Sequence, residues 1–296
     1  MSIKCSVIGT VLALSLISFI DKSDDLWYDA CVVFCNRNKI HKGVYSMYKT
    51  NFVESRNRKI LEQHDGVTIF EYERDLNVTP SMAMQKYFES EMNVRSRQAV
   101  IQVSPDRPAI IQRGAMQMMV GNLSSKTNVR GAGDFVKKFA SSKVTNESAI
   151  KPFYMGSGLL VLEPTHKHLI IEDLSKWNGM VVDDGLFLAC DGSTNLQTVA
   201  RKTLSSVVLG GEGLFNTCLT GNGYAVLESF APREELLEVV LDDDVLRVDG
   251  NFAIAWSRSL DFTVEKSTKM FVGSAASGEG FVNVYRGTGR VLLNIV

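Results

Sequence analysis

One phrase recurs three times along this chain at nearly constant spacing. It reads Gly156-Ser157-Gly158-Leu159-Leu160-Val161-Leu162-Glu163, then Gly221-Asn222-Gly223-Tyr224-Ala225-Val226-Leu227-Glu228, then Gly287-Thr288-Gly289-Arg290-Val291-Leu292-Leu293-Asn294. The offsets are 65 (221 minus 156) and 66 (287 minus 221). A fixed period of this kind marks one structural unit built three times. Each glycine pair precedes an apolar run. Glycine enters positive φ without steric cost, so the phrase predicts a tight turn leading into a buried strand. A dinucleotide-binding reading fails, because it needs a third glycine opening a helix.

Two further phrases follow the same period. Gly211-Glu212-Gly213 and Gly278-Glu279-Gly280 are 67 residues apart (278 minus 211). Val182-Asp183-Asp184-Gly185-Leu186-Phe187-Leu188-Ala189-Cys190 aligns without a gap on Val248-Asp249-Gly250-Asn251-Phe252-Ala253-Ile254-Ala255-Trp256, with a weaker echo from Arg113 to Met119. Each pairs turn residues with a strand-like run, which is hairpin chemistry.

The predicted fold is mainly β. Three repeats of about 65 residues form a pseudo-threefold sandwich or barrel-like body over residues 99–296. Residues 1–98 are an N-terminal accessory region of mixed structure. Within it, Pro80 and Ser81 start a helix running to Met92, whose Met84, Tyr87, Phe88 and Met92 form a packing face. Asp134–Ala140 offers a second short helix. Val7–Ile20 has three readings, a signal-peptide core, a short anchor or a buried element, and the weak basic flank and short length favour the buried element.

The chain has 296 residues and a net charge of −1, so nothing electrostatic points to nucleic acid. Trp27, Trp177 and Trp256 are too sparse to form a base-stacking platform. Five cysteines, Cys5, Cys31, Cys35, Cys190 and Cys218, make no Cys-x-x-Cys pair, which argues for a reducing compartment. His166-x-His168 reads as a turn because no further metal ligand is visible in sequence. His41 and His64 are isolated. Asp183-Asp184 and Asp242-Asp243-Asp244 read as solvated hairpin turns, since neither has calcium-loop spacing. Glu212 and Glu279 occupy equivalent repeat positions, which suggests structure. No catalytic, cofactor-binding or metal-binding residue is assigned.

Ile111-Gln112-Arg113-Gly114-Ala115-Met116, Gly211-Glu212-Gly213-Leu214-Phe215, the run Val248–Trp256, and Gly278-Glu279-Gly280 through Leu293 together resemble the altered inheritance of mitochondria protein 24 family, in its bacterial-like branch. The resemblance covers roughly residues 98–296. It implies a β fold akin to the tryptophan RNA-binding attenuation protein and no established enzyme activity. The expected function is a non-enzymatic scaffold or binding protein that assembles as a homo-oligomer in the cytoplasm, without nucleic acid or stable membrane insertion. The alternatives are a small-molecule or RNA-binding module with a pocket between repeats, and a membrane-associated or mitochondrial organising protein.

Overall fold

The computed structural model describes residues 48–52, 54–127, 151–183, 185–200, 215–266 and 281–295. Val7–Ile20, Cys5, Cys31, Cys35, His41, Asp134–Ala140, Asp184, Glu212, Glu279 and both Gly-Glu-Gly phrases lie outside the described residues. The chain divides into two compact units, Met1–Arg56 and Asn57–Val296. The second unit begins upstream of the boundary drawn from the repeat, and its first two strands hydrogen-bond into the main sheet.

The unit is mainly β, as the alternating apolar runs require. Its strands are β1 (Arg58–His64), β2 (Val67–Tyr72), β3 (Arg97–Val103), β4 (Ala109–Ile111), β5 (Met116–Lys126) and β6 (Phe153–Leu162). There follow β7 (His168–Asp173), β8 (Met180–Val182), β9 (Phe187–Asp191), β10 (Asn195–Ala200), β11 (Phe215–Thr220) and β12 (Tyr224–Ser229). The last are β13 (Leu237–Asp249), β14 (Ala253–Ser257), β15 (Asp261–Lys266) and β16 (Phe281–Leu293). One sheet runs β1-β2-β3-β6-β4-β9-β12-β7 with β5 attached to β6. The other runs β10-β11-β8-β14-β16-β13 with β15 attached to β16.

The same kinds of pairing appear along the chain. β3 pairs with β6, β7 with β12, and the start of β13 with the end of β16, all antiparallel. β5, β9 and β14 take the opposite edges of those same partners. In each of these three the register skips one residue, Gln117, Leu188 or Ile254. A skip of this kind is a β-bulge, which bends the strand and raises its twist.

The glycine phrases behave differently from the expected turn. Gly221 and Gly223 do form a turn between β11 and β12, whereas Gly156 lies inside β6 and Gly287 inside β16. The shared property is backbone conformation: φ is +116° at Gly156, +114° at Gly221 and +113° at Gly287. That angle bends a continuing strand in two places and breaks it in the third. The second glycine makes a close approach. A Cβ on Gly158 would lie 2.2 Å from the Val120 carbonyl oxygen across the β5–β6 ladder.

Among the described residues, three hydrophobic clusters fill the unit. The first holds Val67, Ile101, Leu160 and Val226; the second Trp177, Met180, Leu219 and Leu292; the third Trp256, Tyr285 and Val291. In the third, the Trp256, Phe262 and Tyr285 rings pack with centroids 5.1–5.5 Å apart. β9 faces two clusters at once, with Leu188 and Ala189 in the first and Phe187 and Cys190 in the second. β14 does the same between the second and third.

The predicted helix is α1 (Ala83–Glu91), entered through a 3-10 turn at Pro80–Met82. Its apolar stripe is not a packing face. No residue of α1 is buried, and Met84 is 76% and Phe88 59% exposed. Helical spacing put these side chains on one face, but among the described residues no apolar surface of the β body covers that face. No described helix is long and apolar enough to cross a membrane, which says nothing of strands.

Candidate functional site

The end of β2, α1 and the β6–β7 loop meet at a cleft of about 290 Å³ lined by Tyr72, Asp75, Lys86, Tyr87, Glu89 and His166. Ligand-type atoms of Asp75, Glu89 and His166 lie within 4.8 Å of one another. Lys86 Nζ stands 2.7 Å from Asp75 Oδ2 and 2.8 Å from Glu89 Oε2. The hydrogen bond from Lys86 holds Asp75 and Glu89 below the usual carboxylate range, and Asp75 followed by Glu89 raises Lys86. A metal ion here would have to displace an ammonium already bonded to both carboxylates. The arrangement is therefore a charge clamp fastening α1 to the loop after β2.

His166 belongs to this cleft, while His168 begins β7 and its imidazole is shifted down by burial, with Arg97 adding to the effect. Among the described residues they do not form a shared ligand set. Asp242, Asp243 and Asp244 were expected in a hairpin turn. They sit inside β13 instead, at a bulge where the register passes from Leu241↔Gly289 to Asp244↔Gly287. Asp243 takes φ +51° there, and its N–H donates to Thr288 Oγ1 at 3.0 Å. Thr288 belongs to the third glycine phrase, so the acidic bulge and the glycine bend face each other across one ladder.

A second polar cluster ties the two sheets together. Arg233 Nε donates to Glu172 Oε1 and its Nη2 to Glu238 Oε2, each at 2.7 Å. Arg290 Nη1 donates to Glu238 Oε1 at 2.9 Å, and its guanidinium lies 5.6 Å from the Trp177 ring centroid. Glu172 and Trp177 come from β7 and the turn after it, Glu238 and Arg290 from β13 and β16. Nothing in the local sequence pointed to this chain of contacts, because its members are spread over more than a hundred residues.

Six strands have an edge with no covering strand among those described, β1, β5, β7, β10, β13 and β15, and β5 and β13 are the longest of them. β5 pairs only with β6, and β13 only with β16. These two edges differ in chemistry. β5 carries no charge before Lys126, and Met116, Met118 and Met119 are 36–44% exposed. β13 carries Glu238, the three aspartates, Arg247 and Asp249. Charged residues along an edge discourage indiscriminate pairing, whereas a long neutral edge invites it.

Residues 88–294 match the family described as mitochondrial biogenesis AIM24. An uncharacterized protein of Streptococcus pyogenes serotype M6 is 29% identical over 191 residues, spanning 62% of this chain and 75% of its own. A crystal structure of a Streptococcus pyogenes protein superposes with a TM-score of 0.50 at 24% identity, covering 81% of this chain and 93% of that one. The structural likeness extends to the fold alone.

Proposed function

As the residues matched cover most of its length, this chain belongs to the AIM24 family, and we propose that it is a non-enzymatic β-scaffold that works by self-association. The observation that carries this reading is the edge of β5, eleven residues long, uncharged before Lys126 and exposed along nearly its whole length. An edge of that kind offers a row of backbone donors and acceptors, and another chain can satisfy them. In this reading the lysine clamp near α1 is structural, with both its carboxylates bonded to the Lys86 ammonium.

In this reading residues 97–293 are one β unit used three times. Its support is the matching set of pairings, the bulges at Gln117, Leu188 and Ile254, and the shared φ of Gly156, Gly221 and Gly287. Sedimentation velocity over micromolar concentrations tests self-association. The expected result is a species heavier than the 32.8 kDa chain. A single monomeric boundary throughout would remove the reading.

A further inference from the structure

We propose that the outer edge of β5 takes β13 of a second copy of this chain, with Met118, Met119 and Val120 opposite Val248, Arg247 and Leu246. The proposal rests on the self-association reading and names its surface. Two junctions of the same design already exist within the chain. Ile111, Ile110 and Ala109 stand opposite Ala189, Cys190 and Asp191. Val182, Val181 and Met180 stand opposite Ala255, Trp256 and Ser257.

The flanking bonds match as well. In the first junction the Gln112 N–H donates to the Leu188 carbonyl at 2.7 Å, and the Gly192 N–H to the Pro108 carbonyl at 2.8 Å. In the second, the Asp183 N–H donates to the Ile254 carbonyl at 3.0 Å, and the Arg258 N–H to the Gly179 carbonyl at 2.9 Å. The carbonyl that accepts from Gln112 or Asp183 belongs in each junction to the bulged residue, Leu188 or Ile254. β5 has its bulge at Gln117. β13 meets β16 at Val248↔Asn283 and Arg247↔Val284, as β8 meets β11 at Val182↔Thr217 and Val181↔Cys218. Each copy thus presents one edge of either type, and neither has its counterpart among the described strands. In the third junction the Asp249 N–H would donate to the Gln117 carbonyl.

Arg247 selects a second copy over the same chain. It stands where Ile110 and Val181 stand in the two existing junctions. Ile110 packs on the second cluster and Val181 belongs to the third. Closure within one chain would lay the Arg247 guanidinium against the first, apolar cluster, and burying an uncompensated charge is unfavourable. Edge pairing between copies leaves Arg247 and Met119 at the surface, where both are exposed now. The contact is heterologous, closing as a two-copy exchange or as a ring.

Facing residues of an antiparallel pair have Cα atoms roughly 4.5–5.5 Å apart, within disulfide reach. The test uses the full chain with Cys5, Cys31 and Cys35 replaced by serine. Met119→Cys is placed in an untagged copy and Arg247→Cys in a tagged copy, and the mixture is oxidised with copper phenanthroline. The expected product is a mixed disulfide dimer mapped by mass spectrometry to positions 119 and 247. It should be absent when Lys59→Cys on β1 replaces the Met119 change. A parent protein that sediments as a multimer but gives no 119–247 bond overturns the proposal and leaves self-association standing on another surface. A bond that forms only inside one chain carrying both cysteines also overturns it.

Discussion

The Trp177 indole N–H donates to Glu172 Oε2 at 3.1 Å, and both residues are buried. Glu172 also receives Arg233, so one carboxylate satisfies a core indole and fastens the segment leading into β13. Replacing it with alanine orphans a buried donor and leaves the Arg233 guanidinium with Glu238 alone. Arg233 is partly exposed, so water recovers some of the second loss. Glu172→Ala should lower stability by about 2 to 3 kcal/mol in urea titration, and Trp177→Phe by less. Equal midpoints for Glu172→Ala and parent would show that the network is ornamental.

The glycine bends give a graded test. A Cβ on Gly221 would meet nothing closer than 3.9 Å, so Gly221→Ala costs backbone strain only, about 1 to 3 kcal/mol at φ +114°. Gly223 adds a steric term, because its Cβ would meet Asp191 Cβ at 2.8 Å while φ is +108°. Gly223→Val should therefore melt below Gly221→Ala in a thermal scan. The reverse order contradicts the conformations described.

The lysine clamp sets a pH window for α1. Asp75 is shifted below its ordinary 3.8, so its contribution holds above that value and is lost as pH falls through the lowered one. Lys86 is shifted above its ordinary 10.5, so its contribution holds below that value and fades as pH rises through the raised one. The Cα chemical shifts of α1 should be constant through neutral pH and move toward coil at both extremes. In Lys86→Met the acid-side change linked to Asp75 should shrink.

The stripe on α1 makes the opposite claim from a core. Met84→Gln with Phe88→Gln should move stability by less than about 1 kcal/mol, since both side chains already face solvent. A large loss in the urea midpoint would mean that something covers this face.

Burial raises the thiols of Cys190 and Cys218. In the background lacking Cys5, Cys31 and Cys35, neither should react with a thiol reagent at neutral pH until denaturant is added. Prompt labelling of the folded protein would place them nearer the surface.

Most strands were legible because apolar runs such as Tyr224–Ser229 and Met180–Val182 are short, β-branched and bounded by turn residues. β1 escaped because Arg58–His64 is an exposed edge held by backbone bonds to β2, with little apolar alternation to betray it. The stripe on α1 was read correctly as one face and wrongly as a buried one: periodicity states which residues align and nothing about what lies opposite. The Trp177, Glu172, Arg233, Glu238 and Arg290 network was invisible for a related reason. Its members are brought together by pairing between distant strands, and no local spacing encodes that. The acidic run at 242–244 looked like a hairpin because aspartates favour turns, and a bulge inside a long strand meets the same preference.

β9 and β14 each touch a different cluster on either face. A strand with water on one side can exchange every second residue freely, but these two have no such free positions. β5 holds the corresponding stretch in the open, where Gln117 and Met118 replace Leu188 and Ala189. Saturation mutagenesis should thus return unequal tolerance from backbones of nearly identical course: a narrow alphabet at 187–190 and 253–256, a broad one at 116–119. One local geometry would then live under two selective regimes within a single polypeptide.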